Sequence, residues 1–187
     1  EPVVVYTEEW SRFDPGRMAS RLMAPEPPME VSGSLVFYAP PDHESYRILA
    51  FDGSGAAPRT ISRPGYTPVR KTQEELDEEM ELFEERRRQM VGMGRGGAAM
   101  LSAEYAPGEF HFAVISLGSD AEGRLWARRG GPGTPVFDLF DRHTGDRLGT
   151  ASGPDEMESW TFVVTPYGIA AYEEDPQDYP KVVLLRY

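Results

Sequence analysis

The chain contains no cysteine. That absence excludes disulfides, a thiolate nucleophile and any cysteine-ligated metal. It leaves the compartment open, because a secreted protein of this size can fold without covalent staples. Asparagine is missing too, and lysine is scarce: arginine outnumbers it 17 to 2. No stretch approaches the roughly 18 consecutive apolar residues that a membrane-spanning helix requires, so no transmembrane segment is expected. Surplus positive charge is also missing, since the net charge is −12. Phosphate backbones are held by clustered Lys and Arg, so no nucleic-acid partner is expected. The one basic run, Arg86-Arg87-Arg88, trails an acidic stretch, where it suits a helix C-terminus.

Catalytic signatures are lacking in the same way. His43, His111 and His143 form no His-x-His or His-Glu-x-x-His spacing. No Gly-x-Ser-x-Gly elbow occurs, because Gly53-Ser54-Gly55 is too short and sits in a turn context. The glycine-rich stretch from Gly92 to Gly97 follows a helix instead of preceding one and has no Gly-Lys-Ser/Thr ending. It is read as a connector, not a phosphate loop.

What is present is mostly strand signal. Pro2–Tyr6, Leu35–Ala39, Tyr46–Phe51, Arg59–Ser62, Phe110–Leu117, Leu125–Arg128, Val136–Phe140, Arg147–Ala151, Trp160–Thr165, Ile169–Tyr172 and Val182–Leu185 are short runs bounded by Gly, Pro, Asp or Ser. One segment differs. Thr72-Gln-Glu-Glu75 is a capping box, and Leu76, Met80, Phe83, Arg87 and Met90 recur at helical spacing. An amphipathic helix is expected over about 72–91, with acidic residues leading and arginines trailing.

Turns repeat as well. Phe13-Asp14-Pro-Gly16, Phe51-Asp52-Gly53-Ser-Gly55 and Phe140-Asp141-Arg-His-Thr-Gly145 each end a strand-like run with an aromatic, an Asp and a Gly. Asp caps its own turn and Gly supplies positive φ, so each reads as a hairpin. The spacing gives units of roughly 40–45 residues with four short strands, the size of a β-propeller blade. The expected fold is mainly β, with four-stranded antiparallel blades and one inserted helix. An antiparallel sandwich or barrel would produce similar local signals and is the second reading.

The C-terminal part resembles bacterial six-bladed β-propellers of the NHL-repeat-like group. The resemblance rests on Ser119-Asp-Ala-Glu-Gly-Arg-Leu-Trp126-Ala-Arg128 and Val136-Phe-Asp-Leu-Phe-Asp141, which look like that group's blade pattern. It covers roughly residues 30–187. It implies that residues 1–187 form a single propeller-type domain, the C-terminal part of a six-bladed ring. A periplasmic or extracellular location is likewise implied. A six-bladed ring takes roughly 250 residues or more. The remaining blades are therefore expected from a protein partner, a second copy, or a preceding N-terminal region.

Binding is the expected function, without catalysis, toward a protein partner or a small ligand. Trp126, Arg128 and Arg129 on or beside one strand, together with His111, are the candidate binding residues. Trp and Arg are enriched at interface hot spots. Trp126 and Arg128 alternate with Ala127 and should share a face. The alternative expected of Trp126 is packing between sheets, and of Arg128 an ion pair with a nearby acid. No catalytic residue, metal ligand or cofactor is assigned, although Asp120 with Glu122 and the Glu173–Asp175 stretch could in principle hold calcium. Two further readings stand beside binding. One is a calcium-dependent hydrolase like the propeller lactonases, weakened by the missing asparagine; the other is a structural subunit of a larger assembly.

Overall fold

The short alternating runs pair in sequence order. Within each sheet every strand pairs with its neighbour in sequence across a short connection, which makes antiparallel pairing cheap in loop entropy. The structure, a computed structural model, describes residue 23 and residues 26–90, 105–173 and 181–185. Among the described residues it is mainly β, with three antiparallel sheets and one long helix. The expected strand Pro2–Tyr6, the turn at Phe13–Gly16 and the connector at Gly92–Gly97 lie outside the described residues. The chain divides into two compact units, one holding residues 27–68 and 112 onward, the other Val69–His111.

The first unit contains all three sheets. Strands β1 (Met29–Ser32), β2 (Leu35–Tyr38), β3 (Arg47–Phe51) and β4 (Arg59–Ser62) form the first, in that order. β5 (Val114–Ser119), β6 (Arg124–Arg129), β7 (Val136–Asp141) and β8 (Arg147–Ser152) form the second. β9 (Thr161–Thr165), β10 (Gly168–Glu173) and β11 (Lys181–Leu185) form the third, after a single 3-10 turn at Asp155–Met157. Among the described residues the third sheet has three strands, where four were expected.

Asp and Gly close the hairpins as their chemistry requires. Asp141 Oδ1 accepts the backbone N–H groups of His143 and Thr144, both at 2.8 Å. Gly145 follows at φ 78°, and an added Cβ there would meet Arg59 Nη1 at 2.7 Å. Asp52 Oδ1 likewise accepts the Ser54 N–H at 2.9 Å.

The middle sheet is buried on both faces. Leu125, Ala127 and Phe140 pack with Phe37, Ile48, Ala50 and Ile61 of the first sheet. Trp126 and Phe137 point the other way and pack with Phe162, Ile169 and Ala171 of the third. The leading strands of successive sheets are neighbours: β1 lies beside β5, and β5 beside β9. Gly118 on β5 permits that approach, since a Cβ there would stand 2.5 Å from Val164 Cβ. The far faces of the outer sheets remain apolar. Val163, Ala170 and Leu184 line up across the third sheet beside Val182, and Val163, Val182 and Leu184 are exposed. Met29 and Val31 are exposed on the first sheet, in register with Leu49 and Phe51.

Two strand expectations need correction. β1 was not foreseen, and the strand expected at Phe110–Leu117 begins only at Val114. The reason is visible in the backbone bonds. Phe110 forms an isolated bridge with Arg70, the His111 N–H donates to Val69 O, and the Ala113 N–H donates to Asp42 O. Those groups are committed before the ladder of β5 starts.

The second unit is built on helix α1 (Gln73–Met90). Its capping box forms as expected: the Glu75 N–H donates to Thr72 Oγ1 at 3.2 Å, and the Thr72 N–H donates to Glu75 Oε2 at 2.7 Å. Phe83 is buried against the Tyr105 ring, with centroids 4.8 Å apart. Glu79 accepts the Tyr105 hydroxyl and pairs with Lys71. The chain on either side of the helix is clasped, with the Lys71 N–H donating to Glu109 O at 2.9 Å.

Candidate functional site

Three of the four candidate binding residues lie on β6, divided between its two faces, and His111 belongs to the other unit. Trp126 and Arg128 do share a face, the one turned toward the third sheet. Trp126 is 2 % exposed, and its indole N–H donates to Asp120 Oδ2 at 2.7 Å. Asp120 also accepts the backbone N–H groups of Glu122 and Arg124 at 2.9 Å, and Arg124 Nε. Burial alone would raise the Asp120 carboxyl, but these donors hold it below the usual carboxylate range. The Asp-x-x-Gly-x-Leu-Trp pattern is thus one device: the Asp caps the turn and anchors the indole of the following strand. With its oxygens so occupied, and Glu122 paired to Arg124 at 2.9 Å, Asp120 is poorly placed to bind calcium. Among the described residues no group of three or more His, Asp or Glu converges as a metal site would need. Glu174 and Asp175 lie outside the described residues.

Among the described residues Arg128 does not pair with an acid. Its guanidinium donates to the Trp160 carbonyl at 3.1 Å and the Glu158 carbonyl at 3.4 Å, and lies 4.8 Å from the Phe162 ring centre. Burial lowers its pKa. It ties β6 to the chain entering the third sheet, by carbonyl acceptance and cation–π attraction. His111 belongs to the other unit. Its Nε2 is 3.3 Å from Glu75 Oε1 without hydrogen-bond alignment, so the pair becomes an ion pair only when the imidazole is protonated.

Arg129 is on the opposite face of β6, turned toward the first sheet, and it leads to a cluster that sequence reasoning missed. Asp138, in the centre of β7, is 0 % exposed. Arg129 grips it bidentately, Nε to Oδ2 and Nη2 to Oδ1, both at 2.7 Å. Thr150 Oγ1 donates to Oδ1 at 3.2 Å from β8. Arg147 Nε is 3.4 Å from Oδ1, and its Nη2 donates to Thr150 Oγ1. Arg63, just past the end of β4, places Nε 3.6 Å from Oδ2. Three guanidiniums therefore surround one carboxylate. Their side chains are 22 %, 23 % and 41 % exposed for Arg63, Arg129 and Arg147 respectively, so the cluster reaches water on its cationic side.

The carboxyl of Asp138 would be raised by burial. The Arg129 hydrogen bonds, and the charges of Arg129 and Arg63, outweigh that and hold it below the ordinary range. Tyr46 and Tyr66 border the cluster with ring centres 5.5 Å apart. Burial, and then the negative charge of Asp138, push the Tyr46 phenol far above its ordinary pKa. Tyr46 is 3 % exposed, and its hydroxyl finds no hydrogen-bond partner among the described residues. One signal in the sequence could have found this place: Asp138 interrupts the apolar run Val136-Phe137-Leu139-Phe140. A buried acid requires partners.

These features define the class: a mainly β protein of consecutive antiparallel meanders, with an arginine-rich polar cluster between its first two sheets. No protein-family model, characterised protein or solved structure matches the chain.

Proposed function

We propose that the three sheets are consecutive blades of a β-propeller, and that the protein is a binding module of this architecture without an enzymatic role. The observation that carries the reading is the adjacency of β1, β5 and β9. In a propeller the first strand of every blade lines the axis, and each meander then steps outward. The two-sided burial of the middle sheet fits a blade with a neighbour on each side. The exposed apolar far faces of the first and third sheets then mark where the ring continues.

A second copy of the chain is the proposed occupant of both faces. Three blades and three blades make a six-bladed ring. A two-fold arrangement lets the first sheet of each copy meet the third sheet of the other, so both faces are covered by one symmetry operation. Open blade faces are otherwise costly, in the way uncapped repeats are. An extracytoplasmic location belongs to the same proposal and rests on the resemblance to NHL-repeat-like propellers. The calcium-dependent hydrolase reading is disfavoured by the four donors already filling Asp120.

The absence of native cysteine makes a direct test clean. Val31→Cys and Val182→Cys place thiols on opposite far faces. A mixture of the two single variants treated with a flexible bis-maleimide should give covalent dimers joining one of each kind. Linkage only between like variants, or no linkage at micromolar concentration, would rule out the two-fold ring.

A further inference from the structure

The cluster around Asp138 carries more positive charge than the carboxylate needs. Arg129 alone satisfies both oxygens with two charge-assisted hydrogen bonds, and Thr150 adds a third donor. Arg147 makes one long contact, at 3.4 Å. Arg63 makes none within hydrogen-bond range, since 3.6 Å from Nε to Oδ2 is a Coulombic contact only. A guanidinium with about a fifth of its side chain exposed has given up much of its water. Giving up hydration without gaining hydrogen bonds is unfavourable unless another acceptor takes its place. The local balance, three cations against one anion, leaves room for two further negative charges. Asp42, which acts electrostatically on Tyr66, does not supply them. Its oxygens accept from the Glu44 N–H, the Ser45 N–H and hydroxyl, and it pairs with Arg47 at 3.6 Å.

We infer that this cluster is a binding site for a small doubly charged oxyanion of the phosphate type, free or esterified, with Arg63 as its principal ligand and Arg147 and Arg129 as supporting charges. Among the described residues Arg63 commits none of its N–H donors to a hydrogen bond, and its fork has the geometry that takes two oxygens of one phosphate. Arg129 stays on Asp138 and fixes the base of the site, so the carboxylate acts as the anchor of the arginines and not as a competitor. The inference does not depend on ring closure, because every side chain in it belongs to one unit of the chain.

The test is a thermal-shift and calorimetric titration of the full chain at fixed ionic strength, with chloride as the background salt. Inorganic phosphate and methyl phosphate are the probes, and acetate is the singly charged comparator. Phosphate should raise the melting temperature in a saturable way and acetate should not. Arg63→Gln should weaken phosphate binding about tenfold, the loss of one charge-assisted contact. Arg70→Gln, in the exposed pair with Glu109, should leave it unchanged. Binding of inorganic phosphate alone means a free-anion site, and equal binding of methyl phosphate means the site accepts monoesters. If Arg63→Gln fails to fold, Arg147→Gln is read in its place and should weaken phosphate binding. The inference is overturned if neither probe binds, if acetate matches phosphate, if the Arg63 (or Arg147) variant retains full affinity, or if Arg70→Gln loses as much.

Discussion

At the residue scale, the two buried aspartates do most to specify the middle sheet. Asp138 is the only residue of β7 that is both charged and fully buried, and its partners come from β6, β8 and the residue just past β4. Removing one side of a buried ion pair leaves the other unpaired. Asp138→Asn should therefore cost about 3 kcal/mol in urea unfolding, the low end for such pairs because the arginines reach water. Asp120 acts locally. Trp126→Phe keeps the ring burial but removes the indole donor to Asp120, and should cost about 1.5–3 kcal/mol, as for a hydrogen bond to a charged group. Both carboxyls are held below their ordinary pKa. The unfolded chain therefore takes up their protons first as pH falls. The stabilisation is complete above the unfolded carboxyl value of about 4, and is lost as pH drops from there through the lower folded values. A urea midpoint that is flat from neutral pH to about 5, then falls below about 4, is the expected profile. Asp138→Asn should shallow that fall. An unchanged slope in the variant would mean other carboxylates carry it.

At the scale of elements, local chemistry made most of the structure readable. The helix announced itself through Thr72 and Glu75 and through the spacing of Leu76, Met80 and Phe83, and it runs over Gln73–Met90. Thr72→Ala should cost about 1 kcal/mol, the usual loss of a capping hydroxyl. It should show as faster amide exchange in the first turn of α1. The Asp-Gly turns were equally legible, because Asp141 and Gly145 each have a backbone task that few other residues perform. Gly145→Ala adds a Cβ at positive φ and against Arg59 and Ile61, and should lower stability by about 1–2 kcal/mol. β1 was harder. Its alternation, Met29-Glu30-Val31-Ser32, is only four residues long and follows a proline-rich stretch, so periodicity had little to work on. The early start assigned to β5 failed for another reason. Phe110 to Ala113 look like a strand in composition, but Phe110 bridges to Arg70, and the His111 and Ala113 N–H groups donate to Val69 and Asp42, which are distant in sequence.

At the scale of the whole molecule, what the sequence hid is what only tertiary structure assembles. Arg63, Arg129, Arg147 and Asp138 lie on four stretches of chain, and no spacing rule joins them. Trp126 and Arg128 were correctly expected to share a face, yet Arg129, one residue further, faces the opposite sheet, as strand alternation demands. The stacking of sheets has its own sensitive point at Gly118, where β5 comes close to β9. If β1, β5 and β9 line the axis of a ring, the apolar faces bearing Met29, Val31, Val163, Val182 and Leu184 are interfaces and not surface. The most direct measurement is the molar mass of the purified chain by light scattering across a concentration series. Two half-rings closing on each other predict twice the chain mass of 20.9 kDa, held on dilution to low micromolar concentration. A well-folded monomer that stays at 20.9 kDa and does not associate would contradict the two-copy ring.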